Sequence, residues 1–226
     1  RRALSYNQSP DVPFDRAVNP YRGCEHGCIY CYARPSHGTF GLSPGLDFET
    51  RLFVKPQVVE RLRAELAAPG YRVAPIYLSG VTDCYQPLER THRLTRGVLE
   101  LLSATRHPVG IVTKSALVVR DLDLLVPLAE QGLAQVFVSV TTLQHDLARR
   151  LEPRASMPKR RLDTIVRLAA AGVPVGLLIA PLIPGLNDHE IEAILAEGAA
   201  AGARSALVTL LRLPYELKEL WDAWLD

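Results

Sequence analysis

An alternation restricts the fold more than any other feature. Short apolar runs at residues 76–79, 109–113, 135–140, 175–180 and 206–210 are interleaved with stretches of helical spacing. Runs of about five apolar residues suit strands buried on both faces of a sheet, and a helix between two of them returns the chain for a parallel pairing. A weaker run at 17–19 supplies a first strand, so six βα repeats are expected. The helices read as 57–66, 90–103, 121–130, 159–171, 188–201 and 215–225, the first with Val58, Val59, Leu62 and Leu66 on one face and the fifth capped by Asp188. A short helix is also expected after Thr141-Thr142. Six parallel strands make either an open doubly wound sheet or most of a barrel, and periodicity does not separate the two. Either way, ligands gather at the C-terminal ends of the strands.

Outside this repeat, residues 1–15 carry polar and proline breaks and read as an extended surface arm. Residues 36–44 are rich in Gly, Pro and Ser, and 48–54 alternate in character. With 226 residues, 48% of them hydrophobic and 22% charged, the chain can bury a sizeable core and reads as one domain over 1–226. It opens at Arg1 without a methionine and breaks off at Asp226 inside a helical pattern, which reads as a trimmed piece of a longer protein. No apolar run approaches the roughly 18 residues of a membrane span and no charged-then-apolar leader opens the chain. A net charge of +2 and a pI near 8.4 neither require nor exclude a nucleic-acid partner.

Three of the four cysteines stand in Asn19-Pro20-Tyr21-Arg22-Gly23-Cys24-Glu25-His26-Gly27-Cys28-Ile29-Tyr30-Cys31-Tyr32-Ala33, spaced C-x3-C-x2-C. This is no disulfide framework, and a thiolate metal site belongs to a reducing compartment, so a cytoplasmic location is expected. Three thiolates on one loop grip a metal centre and leave a coordination position open for chemistry. Gly23 and Gly27 let the backbone fold tightly there. The alternative is a zinc-binding, non-catalytic nucleic-acid module, suggested by His26 and His37 beside the cysteines; no second C-x2-C pair completes it. The basic stretch Arg149, Arg150, Arg154, Lys159, Arg160 and Arg161 reads either as a track for a nucleic-acid backbone or as a solvated helix–turn surface.

Cys24, Cys28 and Cys31, with Tyr30 before the third cysteine, resemble the signature of the radical SAM superfamily. The wider run N-P-Y-x-G-C-x-x-x-C-x-Y-C-Y resembles the branch that contains spore photoproduct lyase. The resemblance implies an α/β fold, a partial (β/α)6 TIM-type barrel of parallel strands, with the cysteine loop after the first strand. It implies a 4Fe-4S cluster on the three cysteines and S-adenosylmethionine (SAM) at the open iron. SAM would be cleaved reductively to a 5'-deoxyadenosyl radical that takes hydrogen from a substrate, DNA being one candidate. It further implies a flavodoxin- or ferredoxin-like electron donor.

Residue by residue, the resemblance places the backbone of Tyr30 near the adenine, with Arg22 and Tyr32 shaping the surroundings. The Gly-Gly-Glu motif common after the second strand is absent. Ser79, Thr82 or Asp83 would receive the SAM amino group instead, Asp83 first, unless that aspartate only stabilises its turn. Lys114 would meet the SAM carboxylate or a phosphate. Ser139, followed by Thr141-Thr142, would meet the ribose, and Ile183 lies in the apolar 179–185 stretch that would flank the adenine. Cys84 is open to three readings: an inert core thiol, a fourth metal ligand, or a hydrogen-atom donor to a substrate radical.

Overall fold

The computed structural model describes residues 2–8 and 14–225. The elements run β1 (Leu4–Tyr6), β2 (Arg16–Val18), β3 (Tyr21–Arg22), α1 (Leu46–Thr50), β4 (Phe53–Val54), α2 (Val58–Leu66), β5 (Ile76–Leu78), α3 (Glu89–His92), α4 (Leu94–Ala104) and β6 (Val109–Thr113). They continue with α5 (Leu122–Glu130), β7 (Ala134–Ser139), α6 (His145–Leu151), α7 (Pro158–Ala170), β8 (Val175–Leu182), α8 (Ile191–Ala200), β9 (Ser205–Leu210) and α9 (Leu217–Leu225). The main sheet has the order β1-β2-β5-β6-β7-β8-β9. Every neighbouring pair in it is parallel except β1 with β2. The six parallel strands therefore follow chain order, as a barrel rather than a doubly wound sheet requires, and among the described residues no pairing closes the ring. The fold is a partial barrel.

Its core follows from the apolar runs. Val18, Ile76, Leu78, Ile111, Val136, Val138, Leu177 and Ile179 on the strands pack with Leu62, Leu99, Leu102, Leu125, Ile165, Leu168 and Ile194 on the helices. Parallel strands whose inner face lines the barrel and whose outer face is covered by helices are apolar on both, which is why these segments show no alternation; β9, at the open edge, is instead exposed along its whole length.

Three expectations change. The arm at 1–15 includes β1, an antiparallel edge strand: Leu4 is buried, and the amides of Ala3 and Leu4 donate to the Glu65 carboxylate at 2.6 and 3.1 Å. Residues 1 and 9–13 of that arm lie outside the described residues. The single helix expected at 90–103 is broken at Arg93, whose φ of 52° is left-handed. Beyond the break, the buried Glu89 carboxylate accepts from the amides of Thr95 and Arg96 at 2.9 and 3.2 Å, capping α4 from the preceding turn. Asp188 opens a short 3-10 turn ahead of α8 rather than capping it, its carboxylate accepting from the amides of Gly185 and His189. In the alternating segment 48–54, Phe48 is inside α1 and Phe53–Val54 pair with β3.

Candidate metal centre and the mouth around it

The cysteine loop leaves β2 at the C-terminal end of the parallel sheet, and its shape is set by backbone contacts. The Cys24 amide donates to the Phe48 carbonyl at 2.9 Å, Cys31 to the Cys28 carbonyl at 3.2 Å, and Ile29 to the Leu151 carbonyl at 3.0 Å. Arg34, 1% exposed, clamps the loop from below. Its Nε donates to the Cys28 carbonyl at 2.8 Å and its terminal nitrogens to the carbonyls of Gly27, Pro44 and Gly45 and to Glu49 at 2.5–3.1 Å. The planar fork spends its whole donor set there, a task lysine cannot take over. Gly23 and Gly27 have φ of 77° and 69°, and a Cβ on Gly27 would run into the Arg154 guanidinium and lie 2.8 Å from the Glu49 carboxylate.

Across the loop, Gln86 accepts from the Glu25 amide at 2.9 Å and donates to the Gly23 carbonyl at 3.1 Å. The Asn19 side chain accepts from the amides of Gly80 and Val81 at 2.8 and 3.0 Å, and the Tyr32 hydroxyl donates to the Gly80 carbonyl. The loop is thus fastened to the turn after β5. Arg22 lies over the Phe40 ring at 5.2 Å.

Cys24, Cys28 and Cys31 are free thiols, the first buried and the others partly buried. Burial pushes all three up, Cys28 to about 12; Glu152 adds to the shift at Cys28, and Lys114 opposes it there and at Cys31. A bound metal centre reverses that balance by drawing the protons off. Among the described residues no three His, Cys, Asp or Glu side chains converge as on a single ion. An iron–sulfur cluster is wider and takes its thiolates on separate corners, so three cysteines on one clamped loop suit it. At the mouth, the Ser139 and Thr82 hydroxyls are buried without a hydrogen-bond partner, as groups awaiting a polar ligand are. The residues present fit a cluster with a bound polar cofactor.

The strand-end residues divide. Lys114 lies with its Nζ 5.7 Å from the Tyr30 ring centroid, beside the loop. Ser139 is fully buried at the end of β7. Asp83, in contrast, is already engaged: its carboxylate accepts from the Tyr85 amide and the Thr113 hydroxyl at 2.8 Å and from the Lys114 amide at 2.7 Å, and His26 Nδ1 lies 3.4 Å away. It fastens the ends of β5 and β6 together. Ser79, left-handed with φ 80°, accepts from the Cys84 amide at 2.8 Å. The Ile183 amide donates to the Asn187 side chain at 2.6 Å and its carbonyl accepts from the amides of Leu186 and Asn187 at 3.0 and 3.2 Å, so its backbone is already engaged and only its side chain is left for a neighbour such as adenine. Cys84 is fully buried in the main core among apolar side chains, its thiol pushed well up by burial, and neither the metal-ligand nor the hydrogen-donor role gains support.

Sequence reasoning missed the group that binds Tyr30. Glu152, at the end of α6, is fully buried; its carboxylate accepts from the Tyr30 hydroxyl, from Thr141 Oγ1 at 2.7 Å and from Arg161, with which it forms an ion pair. Arg161 also donates to the Ser139 and Ser156 carbonyls at 3.0 and 2.5 Å. Burial alone would raise the Glu152 pKa, but Arg161 and Lys114 bring it down to about 2. Asn187 completes the wall, donating to the carbonyls of Thr141 and Pro181 at 2.7 and 3.1 Å. The basic stretch is no continuous track: Arg161 is inside, Arg154 pairs with Glu49, and Arg150 sits over the Trp224 ring at 4.9 Å.

A partial parallel α/β barrel with a three-cysteine loop after its first parallel strand defines a class of cluster-binding barrels. The family model of the radical SAM superfamily matches residues 18–197, and the chain belongs to that superfamily. An uncharacterised protein of Mycobacterium tuberculosis is 37% identical over 216 residues, 95% of this chain and 64% of that protein. One of Methanocaldococcus jannaschii is 30% identical over 178 residues, 76% of this chain and 62% of that protein. The chain therefore spans a little under two thirds of the length of these relatives. Spore photoproduct lyase, solved in complex with dinucleoside spore photoproduct, shares the fold with a TM-score of 0.71 at 20% identity, over 99% of this chain and 64% of that one. Streptococcus suis SuiB bound to S-adenosylmethionine superposes with a TM-score of 0.54 at 12% identity, over 93% of this chain and 46% of that one. The partial barrel that the resemblance implies stands, and so does the superfamily.

Proposed function

We propose that this chain is the core of a radical SAM enzyme in which Cys24, Cys28 and Cys31 hold a 4Fe-4S cluster. The observation that carries it is the Arg34-clamped loop, which presents three free thiols at the C-terminal mouth of the six parallel strands, beside the unpartnered hydroxyl of Ser139. When bound, the cluster and SAM supply a one-electron reductive cleavage to methionine and a 5'-deoxyadenosyl radical, which takes a hydrogen atom from the substrate. The chain's own residues bind and orient. Lys114 offers a cation to the SAM carboxylate and Ser139 a hydroxyl to its ribose. With the Asp83 carboxylate committed to β6, the SAM amino group is left to the Thr82 hydroxyl and to backbone carbonyls at the end of β5. The Tyr30–Glu152–Arg161 network fixes the wall between loop and mouth, and the walls exclude water from it.

The test is anaerobic reconstitution with iron and sulfide, then dithionite and SAM. A brown protein that forms 5'-deoxyadenosine is expected. A colourless preparation with stoichiometric zinc and no 5'-deoxyadenosine would replace this reading with the structural zinc module.

A further inference from the structure

Two adjoining cavities of about 250 and 280 Å³ share Arg90, Ser115, Ser156 and Arg160 and together form one cleft. Arg90 comes from α3, which follows β5; Ser115 follows β6; Ser156 and Arg160 stand at the start of α7. The cleft therefore opens at the C-terminal ends of the strands, and the buried His26, between Cys24 and Cys28, forms part of its wall. Lys114 and Ser139, the residues assigned to SAM, do not line it.

The four shared side chains offer donors. Ser156 Oγ accepts from the Ala116 amide at 3.0 Å and Ser115 Oγ from the Leu117 amide at 3.2 Å, so each oxygen is fixed from one side. Neither hydroxyl donates to a protein acceptor among the described residues. Arg90 and Arg160 are exposed, and among the described residues their guanidinium groups enter no ion pair. No aspartate or glutamate lines either cavity. Arg120 and Arg154, also on the walls, are neutralised by Glu89, Asp121 and Glu49 from outside the cleft. Arg90, Arg160 and, at the far end, Arg167 are left to set its potential. The thirteen-residue α7 begins here with no side-chain cap and no acidic residue in its first turn, so its dipole adds charge of the same sign.

A pocket of donors alone takes a ligand of acceptors alone. A carboxylate has only two oxygens to offer, whereas two guanidinium forks and two hydroxyls match the larger oxygen set of a phosphate group. SAM carries no phosphate, and its sulfonium and ammonium are repelled by unpaired arginines. The occupant is thus a second ligand, seated beside the mouth where a substrate has to approach.

We propose that Arg90, Ser115, Ser156 and Arg160 form a phosphate subsite that anchors the substrate beside the cysteine loop, an assignment of substrate class that rests on the functional reading above. The phosphate is held and no bond to it is made or broken; the reacting part of the substrate extends from it to the mouth. A small phosphorylated molecule and a phosphodiester strand share this chemistry. Arg167 separates them, because it lies two turns along α7 from Arg160, about 10 Å away, where only a longer ligand reaches it.

The experiment titrates reconstituted protein with inorganic phosphate by calorimetry and with a fluorescein-labelled thymidine pentanucleotide by anisotropy. Wild type should bind at least one of the two. R90Q/R160Q should raise that dissociation constant at least about tenfold, and R90K/R160K, which keeps the charge and loses the fork, should fall between. R63Q/R204Q removes the same charge from exposed arginines off the cleft and should stay within about twofold of wild type. Pentanucleotide binding that exceeds phosphate binding and weakens further in Arg167→Gln identifies a strand; phosphate binding indifferent to Arg167→Gln identifies a small phosphorylated substrate. The subsite is overturned if neither probe binds, if R90Q/R160Q leaves binding unchanged, if R63Q/R204Q weakens it equally, or if saturating SAM displaces the probe. A protein that assembles no cluster but binds phosphate through Arg90 and Arg160 overturns the enzyme assignment and the substrate role with it. A cluster that responds to SAM in a protein that binds neither probe overturns the subsite alone.

Discussion

Two arginines hold the cysteine loop, and they do so differently. Arg34 grips neutral carbonyls of the loop backbone, and its one charged partner, Glu49, is shared with the exposed Arg154. Arg161 sits above, in a fully buried ion pair with Glu152 that also takes the Tyr30 hydroxyl. The first is a geometric clamp whose loss leaves carbonyls unsatisfied; the second is a buried charge pair whose loss leaves a bare charge. The contrast separates what shapes the loop from what braces it against the barrel, and four substitutions and one titration test it.

The largest effect is expected for Glu152→Ala, which strands Arg161 in the interior. Breaking a buried pair costs about 3–5 kcal/mol, read as a shift in urea midpoint of the metal-free protein. The same carboxylate dictates an acid dependence. Its folded pKa of about 2 lies below the ordinary value of 4.5, so its contribution is complete above 4.5 and is lost as pH falls towards 2. A denaturation series over that range should show the wild type losing more stability than Glu152→Gln, which has no carboxyl to titrate. Next comes Arg34→Lys, which keeps the charge but leaves buried carbonyls of the loop unpaired, for about 2–3 kcal/mol and a fall in iron bound after reconstitution. Gly27→Ala forces a left-handed alanine against Arg154 and should cost about 1–2 kcal/mol. Arg154→Ala removes a pair whose arginine is half exposed and whose Glu49 carboxylate keeps Arg34 as a partner, and should cost about 1 kcal/mol or less. Because Arg154 is the group the new methyl would strike, the double variant Gly27→Ala/Arg154→Ala should lose less than the sum of the two, and strict additivity would count against that contact.

The parts of this arrangement legible in the sequence are the local ones. Cysteine spacing, the glycines beside it and the run lengths of the strands are read within a few residues, and they located the loop at the head of six parallel strands. The brace is not local. Tyr30 meets Glu152 across 122 positions and Asn187 meets Thr141 across 46, and neither residue differs in type from an ordinary surface polar one. Burial is what turns them into anchors, and burial is a property of the fold. The break at Arg93 escaped for the same reason, since the carboxylate of Glu89 that caps α4 is recruited by tertiary packing against Tyr21, whose hydroxyl donates to it at 2.5 Å. Asp83 shows the limit from the other side: its place at a strand end suggested either a ligand or a turn-stabilising carboxylate, and the structure shows its oxygens accepting from Tyr85, Thr113 and Lys114.

The most direct measurement is the electron paramagnetic resonance spectrum of the reduced, reconstituted protein before and after SAM is added. A 4Fe-4S cluster held by Cys24, Cys28 and Cys31 with one open iron gives a signal that changes on adding SAM, and the signal disappears in Cys28→Ala. An iron–sulfur signal that persists in Cys28→Ala, or one that SAM leaves unaltered in the wild type, would contradict the assignment.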